Sequence, residues 1–317
     1  MIKFFYRRGE EILFGQSQTE FATISKENVL WIDLFEPTGD EKRAIESYIG
    51  AEIQSRAEAE EIESSSRFSE EDGVIFANTN FMSPADDEMT MDPVSFILSK
   101  GILTTLRDIP LRSFNTLQMK MQARPEEFPD GWTVFVEIMN KRVDLDADIV
   151  ELLSQDTTQF SKRINQKEDI NEEFLLDINQ LQENAMLVRE NIVDKQRMMS
   201  NILKSKLCPK DKDVREDLGI ILQDIASLIN HTNFTFERLE YLQDTVVGII
   251  NLDQNRIMKT FTFISLLLMP ATLLASIYGM NIRLPFADLP LAWVGIIAIM
   301  AVILTATWLL FRHKKML

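Results

Sequence analysis

Two uncharged stretches near the C-terminal end limit the architecture of this chain more than any other feature. Residues 261–278 (FTFISLLLMPATLLASIY) carry no charge over 18 positions, and residues 292–311 (AWVGIIAIMAVILTATWLLF) carry none over 20. At a rise of ~1.5 Å per residue, a helix of either length comes close to crossing a hydrocarbon layer ~30 Å thick. Both are therefore expected to be membrane-spanning helices. Trp293 and Trp308 lie near the ends of the second, where interfacial aromatics belong. Arg256 and Lys259 precede the first span, and Arg312, His313, Lys314 and Lys315 follow the second. By the positive-inside rule both flanks face the cytoplasm and the short loop 282–291 faces out.

Charge divides along the same line. The 317 residues carry a net −16, yet residues 251–317 hold six basic side chains against two acidic ones, which leaves −20 on the first 250. So large an acid excess excludes a protein built to grip nucleic-acid phosphates. The opening residues MIKFFYRR lack the apolar core and cleavage site of a signal peptide, so the acidic body is expected to stay in the cytosol. Cys208 is the single cysteine and can form no intrachain disulfide. His231 and His313 stand far apart, and no ATP-binding signature is present. Neither an enzyme site nor a bound cofactor is expected.

The first span differs from a plain anchor. Asn255, Met258, Thr262, Ser265, Met269, Thr272 and Ser276 recur at steps of three and four, which puts them on one helical stripe. Most are polar or carry sulfur. A lipid-facing surface has no use for such a stripe, although small hydroxyl residues also serve helix–helix packing. Pro270 in mid-span frees a backbone carbonyl one turn earlier, which membrane helices tolerate where neighbours or water satisfy it.

The span closes on Tyr278-Gly279-Met280-Asn281, followed by one more span and a basic tail. In this setting the sequence resembles the CorA family of divalent-cation channels. The resemblance extends to Trp31-Ile32-Asp33-Leu34 with Pro37-Thr38 and Glu41, to the stretch 61–68, to Phe96-Ile97-Leu98, and to Leu103-Thr104-Thr105 with Arg107. It implies an α+β cytosolic domain, an α/β/α sandwich, continued by a long stalk helix into two transmembrane helices. Five copies would form a homopentameric funnel in the inner membrane, with lipid and divalent cations as the other partners. The expected divisions are an N-terminal α/β domain at 1–130, a helical bundle and stalk at 131–257, the pore helix at 258–281, the external loop at 282–291, the second span at 292–311 and a basic tail at 312–317.

Local patterns agree with that outline. Short apolar runs at 29–34, 74–81, 94–98 and 102–106 read as strands, 40–63 reads as an acidic helix, and strand signals vanish beyond about residue 131. Between 213 and 257 Leu218, Leu222, Ile225, Ile229, Phe236, Leu239, Val246, Ile250 and Ile257 follow a heptad rhythm, interrupted by Thr232, Gln243 and Asp253. One helix from about 213 to 281 would be ~100 Å long.

The resemblance also assigns roles. Gly279, Met280 and Asn281 become the selectivity filter, in which a ring of amide oxygens accepts hydrogen bonds from the water shell of Mg2+, an ion that dehydrates reluctantly. The other role open to Asn281 is a helix C-cap. Asn255, Met258, Phe261, Thr262, Ser265, Met269, Thr272 and Ser276 are expected to line the pore. Met258 and Phe261 are read from their own residue types, not from the resemblance, as a hydrophobic constriction at its inner end that gates by dewetting. The family's prototypes carry leucine where Phe261 stands. Intracellular Mg2+ would close the channel, yet the family's stalk aspartate falls on Ile220, which leaves Asp217, Asp224, Asp86 and Asp87 as candidate regulatory ligands. The loop Ile282-Arg283-Leu284-Pro285 lacks the family's acidic segment. Co2+ and Ni2+ are further expected cargoes. The alternatives are a ZntB-like zinc transporter and a membrane-tethered acidic scaffold.

Overall fold

The computed structural model describes residues 1–54, 67–85, 88–166, 170–280 and 291–313. Two compact units result, Met1–Gln243 and Asp244–Leu317.

The first unit is built on a mixed sheet, with seven strands among the described residues. They are β1 (Ile2–Arg8), β2 (Glu11–Gly15), β3 (Val29–Phe35), β4 (Phe68–Glu71), β5 (Val74–Ala85), β6 (Glu88–Ser99) and β7 (Ile102–Arg107), in the spatial order β2-β1-β3-β7-β6-β5-β4. β3 and β7 run parallel, with Asp33 opposite Thr105, and the other pairings are antiparallel. The four apolar runs read from the sequence are β3, β5, β6 and β7. Strands β1, β2 and β4 were not among those expectations. The apolar side chains of β1 are interleaved with Lys3, Arg7 and Arg8, and β4 is four residues long.

Both faces of the sheet are covered, and side-chain alternation sorts residues between them. Phe4, Ile32, Phe76 and Ile97 point to one face, where they meet Ile45 and Ile49 of α1 (Gly39–Ile49). Their chain neighbours Phe5, Trp31, Ile75 and Phe96 point to the other face. There they pack with α2 (Arg112–Ala123), α3 (Gly131–Gln166), α4 (Glu172–Lys204) and the N-terminal part of α5 (Lys212–Tyr278). This is the expected α/β/α body continued by a long helix.

Helix α1 is shorter than the 40–63 read from the sequence. Gly50 adopts φ +78° and its N–H donates to the Glu46 carbonyl at 2.8 Å, a left-handed turn that stops the helix. The start of α3 lies hard against the sheet. The Gly131 N–H donates to the Gly101 carbonyl at 2.7 Å, and a β-carbon at this position would stand 2.3 Å from the Leu103 nitrogen. No larger residue fits there.

The heptad stripe of α5 is largely core. Leu218, Ile225, Leu239 and Val246 are buried, and Ile257 is exposed. Thr232, which interrupts the pattern by residue type, occupies a buried core position. Its hydroxyl donates to the Leu228 carbonyl at 2.8 Å, so the polar atom is satisfied inside its own helix.

In the second unit the C-terminal part of α5 and helix α6 (Ala292–His313) are both long and apolar enough to cross a membrane. They touch through the Phe263 and Phe311 rings, edge to face at 5.4 Å. Arg312 stacks over Trp308 at 5.3 Å, a cation–π contact at the end of the span.

Candidate ion pathway

Helix α5 carries the stripe that the sequence singled out. Asn255, Met258, Phe261, Thr262, Ser265, Met269, Thr272 and Ser276 are all exposed on the single chain, Met258, Phe261 and Met269 at 63% each. The helix continues through Pro270, whose missing N–H leaves the Leu266 carbonyl without its usual donor. Two residues further on, the Thr272 hydroxyl donates to the Leu268 carbonyl at 2.9 Å. Its proton is thereby committed to the helix while its lone pairs stay available as acceptors.

At the C-terminal end of α5 the Gly279 N–H donates to the Ala275 carbonyl at 2.9 Å, and the Met280 N–H to the Ile277 carbonyl at 3.3 Å. A β-carbon on Gly279 would lie 3.2 Å from the Ala275 oxygen, so glycine keeps this last turn tight. Gly279 and Met280 are exposed. Asn281 lies outside the described residues, as do Asp86, Asp87 and loop positions 282–290.

Asp217 and Asp224 are exposed on α5, two turns apart, with Ile220 exposed at 51% between them. No group of three or more His, Cys, Asp or Glu able to hold a metal ion occurs among the described residues. Steps of seven back from Asn255 reach Gly248, Tyr241 and Phe234, and all three are exposed, the two aromatics at 69% and 65%. The period was legible in the sequence. The exposure was not, because aromatic side chains such as Phe234 and Tyr241 occupy buried and exposed helix positions alike.

The N-terminal motif proves to be structural. Arg107 closes a fork on buried Asp33, donating Nε to Oδ1 at 3.0 Å and Nη2 to Oδ2 at 2.8 Å. The Thr105 hydroxyl donates to the same Oδ1 at 3.0 Å, and Trp31 Nε1 donates to that hydroxyl at 2.9 Å. The guanidinium lies between the Phe35 and Phe114 rings, at 4.8 and 4.9 Å. Thr38 and Glu41 form a capping box at the start of α1. The Glu41 N–H donates to Thr38 Oγ1 at 3.3 Å, and the Thr38 N–H to Glu41 Oε2 at 2.8 Å. That backbone donor holds the Glu41 carboxyl below its ordinary range. Cys208 is buried, and burial pushes its thiol up, which disfavours the reactive thiolate.

The sequence profile described as CorA-like Mg2+ transporter protein matches residues 26–313, nearly the whole chain. The chain belongs to the CorA-like family. A CorA relative, the magnesium transport protein of Campylobacter jejuni, is 31% identical over 300 residues, which cover 91% of each chain. The solved structure of the CorA magnesium transporter from Methanocaldococcus jannaschii superposes with a TM-score of 0.80, covering 98% of both chains at 18% identity. The ZntB cytoplasmic domain from Vibrio parahaemolyticus superposes with a TM-score of 0.59 at 14% identity, covering 80% of this chain and 98% of that one. At that identity the likeness to ZntB is one of fold alone, whereas the CorA relatives are similar in sequence along almost their full length.

Proposed function

We propose that this chain is a passive inner-membrane channel for hydrated Mg2+, with Co2+ and Ni2+ as secondary cargoes. The observation that carries the reading is the stripe of α5: uncharged polar and sulfur side chains exposed along a membrane-length helix that runs into Gly279-Met280-Asn281 in a CorA-family chain. Five copies around an axis would turn each stripe residue into a ring. Rings of amide and hydroxyl oxygen suit an ion that keeps its water shell, because they accept hydrogen bonds from bound water without replacing it. Asn281 supplies the outermost ring and sets selectivity. The membrane potential supplies the drive: ~2.3 kcal/mol per charge per 100 mV gives about 4.6 kcal/mol for a divalent cation moving inward.

Met258 and Phe261 form the constriction at the inner end and close it by excluding water. Cytosolic Mg2+ shared between copies by Asp217 and Asp224, with Asp86 and Asp87 as further candidates, holds the domains together. Without it the −20 carried by each acidic body drives them apart. Phe234 and Tyr241 continue the stripe inward and meet their counterparts in neighbouring copies.

The test is uptake of Mg2+, Co2+, Ni2+ and Zn2+ into proteoliposomes, with and without a proton gradient, by the natural chain and by Asn281→Ala. Gradient-independent Mg2+ uptake that Asn281→Ala abolishes is the expected result. Zn2+ uptake coupled to protons would instead identify a ZntB-like transporter, and indifference of transport to Asn281→Ala would remove the filter assignment.

A further inference from the structure

Within the Met1–Gln243 unit, three charged side chains lie out of reach of water. Arg142 and Asp146 come from successive turns of α3 and Lys195 comes from α4, with side-chain exposures of 3%, 1% and 0%. Arg142 donates Nε to Asp146 Oδ1 at 2.8 Å and sets Nη2 against the same oxygen. Lys195 Nζ stands 2.9 Å from Asp146 Oδ2, an ion pair. The lysine also donates to Asn191 Oδ1, one turn back on α4. Asn191 in turn donates Nδ2 to the Asn80 carbonyl of β5 at 3.1 Å. From β5 the Phe81 ring covers Arg142, 5.0 Å from ring centre to guanidinium. Two cations thus share one carboxylate, and the cluster joins α3, α4 and β5 while holding one uncompensated positive charge in the interior.

We propose that Arg142, Asp146, Lys195 and Asn191 form a proton-sensitive latch joining α3, α4 and β5, tighter when Lys195 is neutral than when it is charged. A neutral amine still donates to Asn191, and Arg142 is left as the one full partner of Asp146. Losing the proton therefore removes the excess charge without stripping the network of hydrogen bonds. Burial lowers the Lys195 pKa and Arg142 adds to that, while Asp146 and Asp194 oppose it. Burial wins, and the value falls to about 8. Asp194 acts from a half-exposed position where Arg67 and Arg197 already pair with it, each at 3.5 Å. The folded value lies below the ordinary 10.5, so between the two the unfolded chain holds a proton that the folded chain has released. Stability then rises with pH through that window, by about tenfold in the folding constant per pH unit. The position matters because α4 also grips α5, through Arg189 on Asn233 at 2.5 Å and Gln182 on Gln243 at 3.3 Å. The latch sits on the helix that ties the sheet to α5.

The test is urea unfolding of the full chain in detergent, followed by tryptophan fluorescence from pH 7 to 9.5, for the natural chain, Lys195→Met and Asp146→Asn. Relative to Lys195→Met, the natural chain is expected to gain roughly tenfold in folding constant for each pH unit above 8. Parallel pH curves for these two would overturn the proposal. Asp146→Asn strands two cations without an anion, so its deficit should be large at pH 7 and shrink toward pH 9.5 as Lys195 discharges. A deficit equal at both ends would mark an ordinary structural ion pair and sink the latch, and this comparison stands if Lys195→Met does not fold.

Discussion

Arg107 and Asp33 illustrate how a residue can identify a family without touching its cargo. The pair lies inside the β3–β7 ladder, and every side-chain polar atom of Asp33 has a donor from Thr105 or Arg107. A buried charge stripped of its partner costs far more than the pair contributes. Asp33→Ala should therefore destabilise the folded body by about 3–5 kcal/mol, measured by chemical denaturation, and lower the yield of folded protein. Uptake per folded molecule should not change, and that separates this aspartate from Asn281. The sequence placed Asp33 and Arg107 in one motif set. It could not show their contact, because 74 residues separate them and the parallel pairing of β3 with β7 brings them together.

Helix α5 carries two stripes that differ in burial. Leu218, Ile225, Thr232, Leu239 and Val246 form a buried seam at seven-residue spacing, and Phe234, Tyr241, Gly248 and Asn255 form an exposed one at the same spacing. A heptad pattern in sequence reports that a face is used, and burial decides what it meets. The second seam leads into the uncharged stripe of the apolar stretch, where Met258 and Phe261 are bulky, exposed apolar side chains near its N-terminal end. Under the proposed gate, Met258→Ala with Phe261→Ala widens the closed constriction and lets water in. Liposomes holding the double variant should then leak Mg2+ in conditions where the natural chain is shut, and an unchanged flux trace would remove these two residues from the gate.

For the molecule as a whole, charge divides along the chain: the acid excess of −20 belongs to the first 250 residues, and +4 belongs to the stretch that contains both apolar helices. Under the proposed mechanism, cation sensing depends on carboxylates brought together by several copies. Mg2+ added to the full chain in detergent should then slow proteolysis of the acidic body. The protection should weaken in an Asp217→Asn, Asp224→Asn double variant. Equal cleavage with and without Mg2+ would exclude this form of regulation.

Two uncharged stretches of membrane-spanning length, the charges that flank them, the helical rod leading into the first and the motif that closes it are all legible in the linear sequence. Each depends on local composition or on a period within one helix, and such signals need no contact between distant residues. The α/β character of the body was legible for the same reason, since β3, β5, β6 and β7 announce themselves as apolar runs, whereas its α/β/α layering followed from the family resemblance. Other features emerge only when the chain packs. The arrest of α1 at Gly50 depends on a left-handed backbone turn, and the placement of Thr232 in the core depends on a hydroxyl satisfied within its own helix. The burial of Lys195 depends on three elements closing around it, with Asn80, Asp146 and Lys195 contributed from positions far apart in the chain. Nothing around residue 195 in the sequence distinguishes that lysine from its exposed neighbours. Its altered proton affinity arises when packing removes water from around it, and a linear sequence does not show where water will be removed.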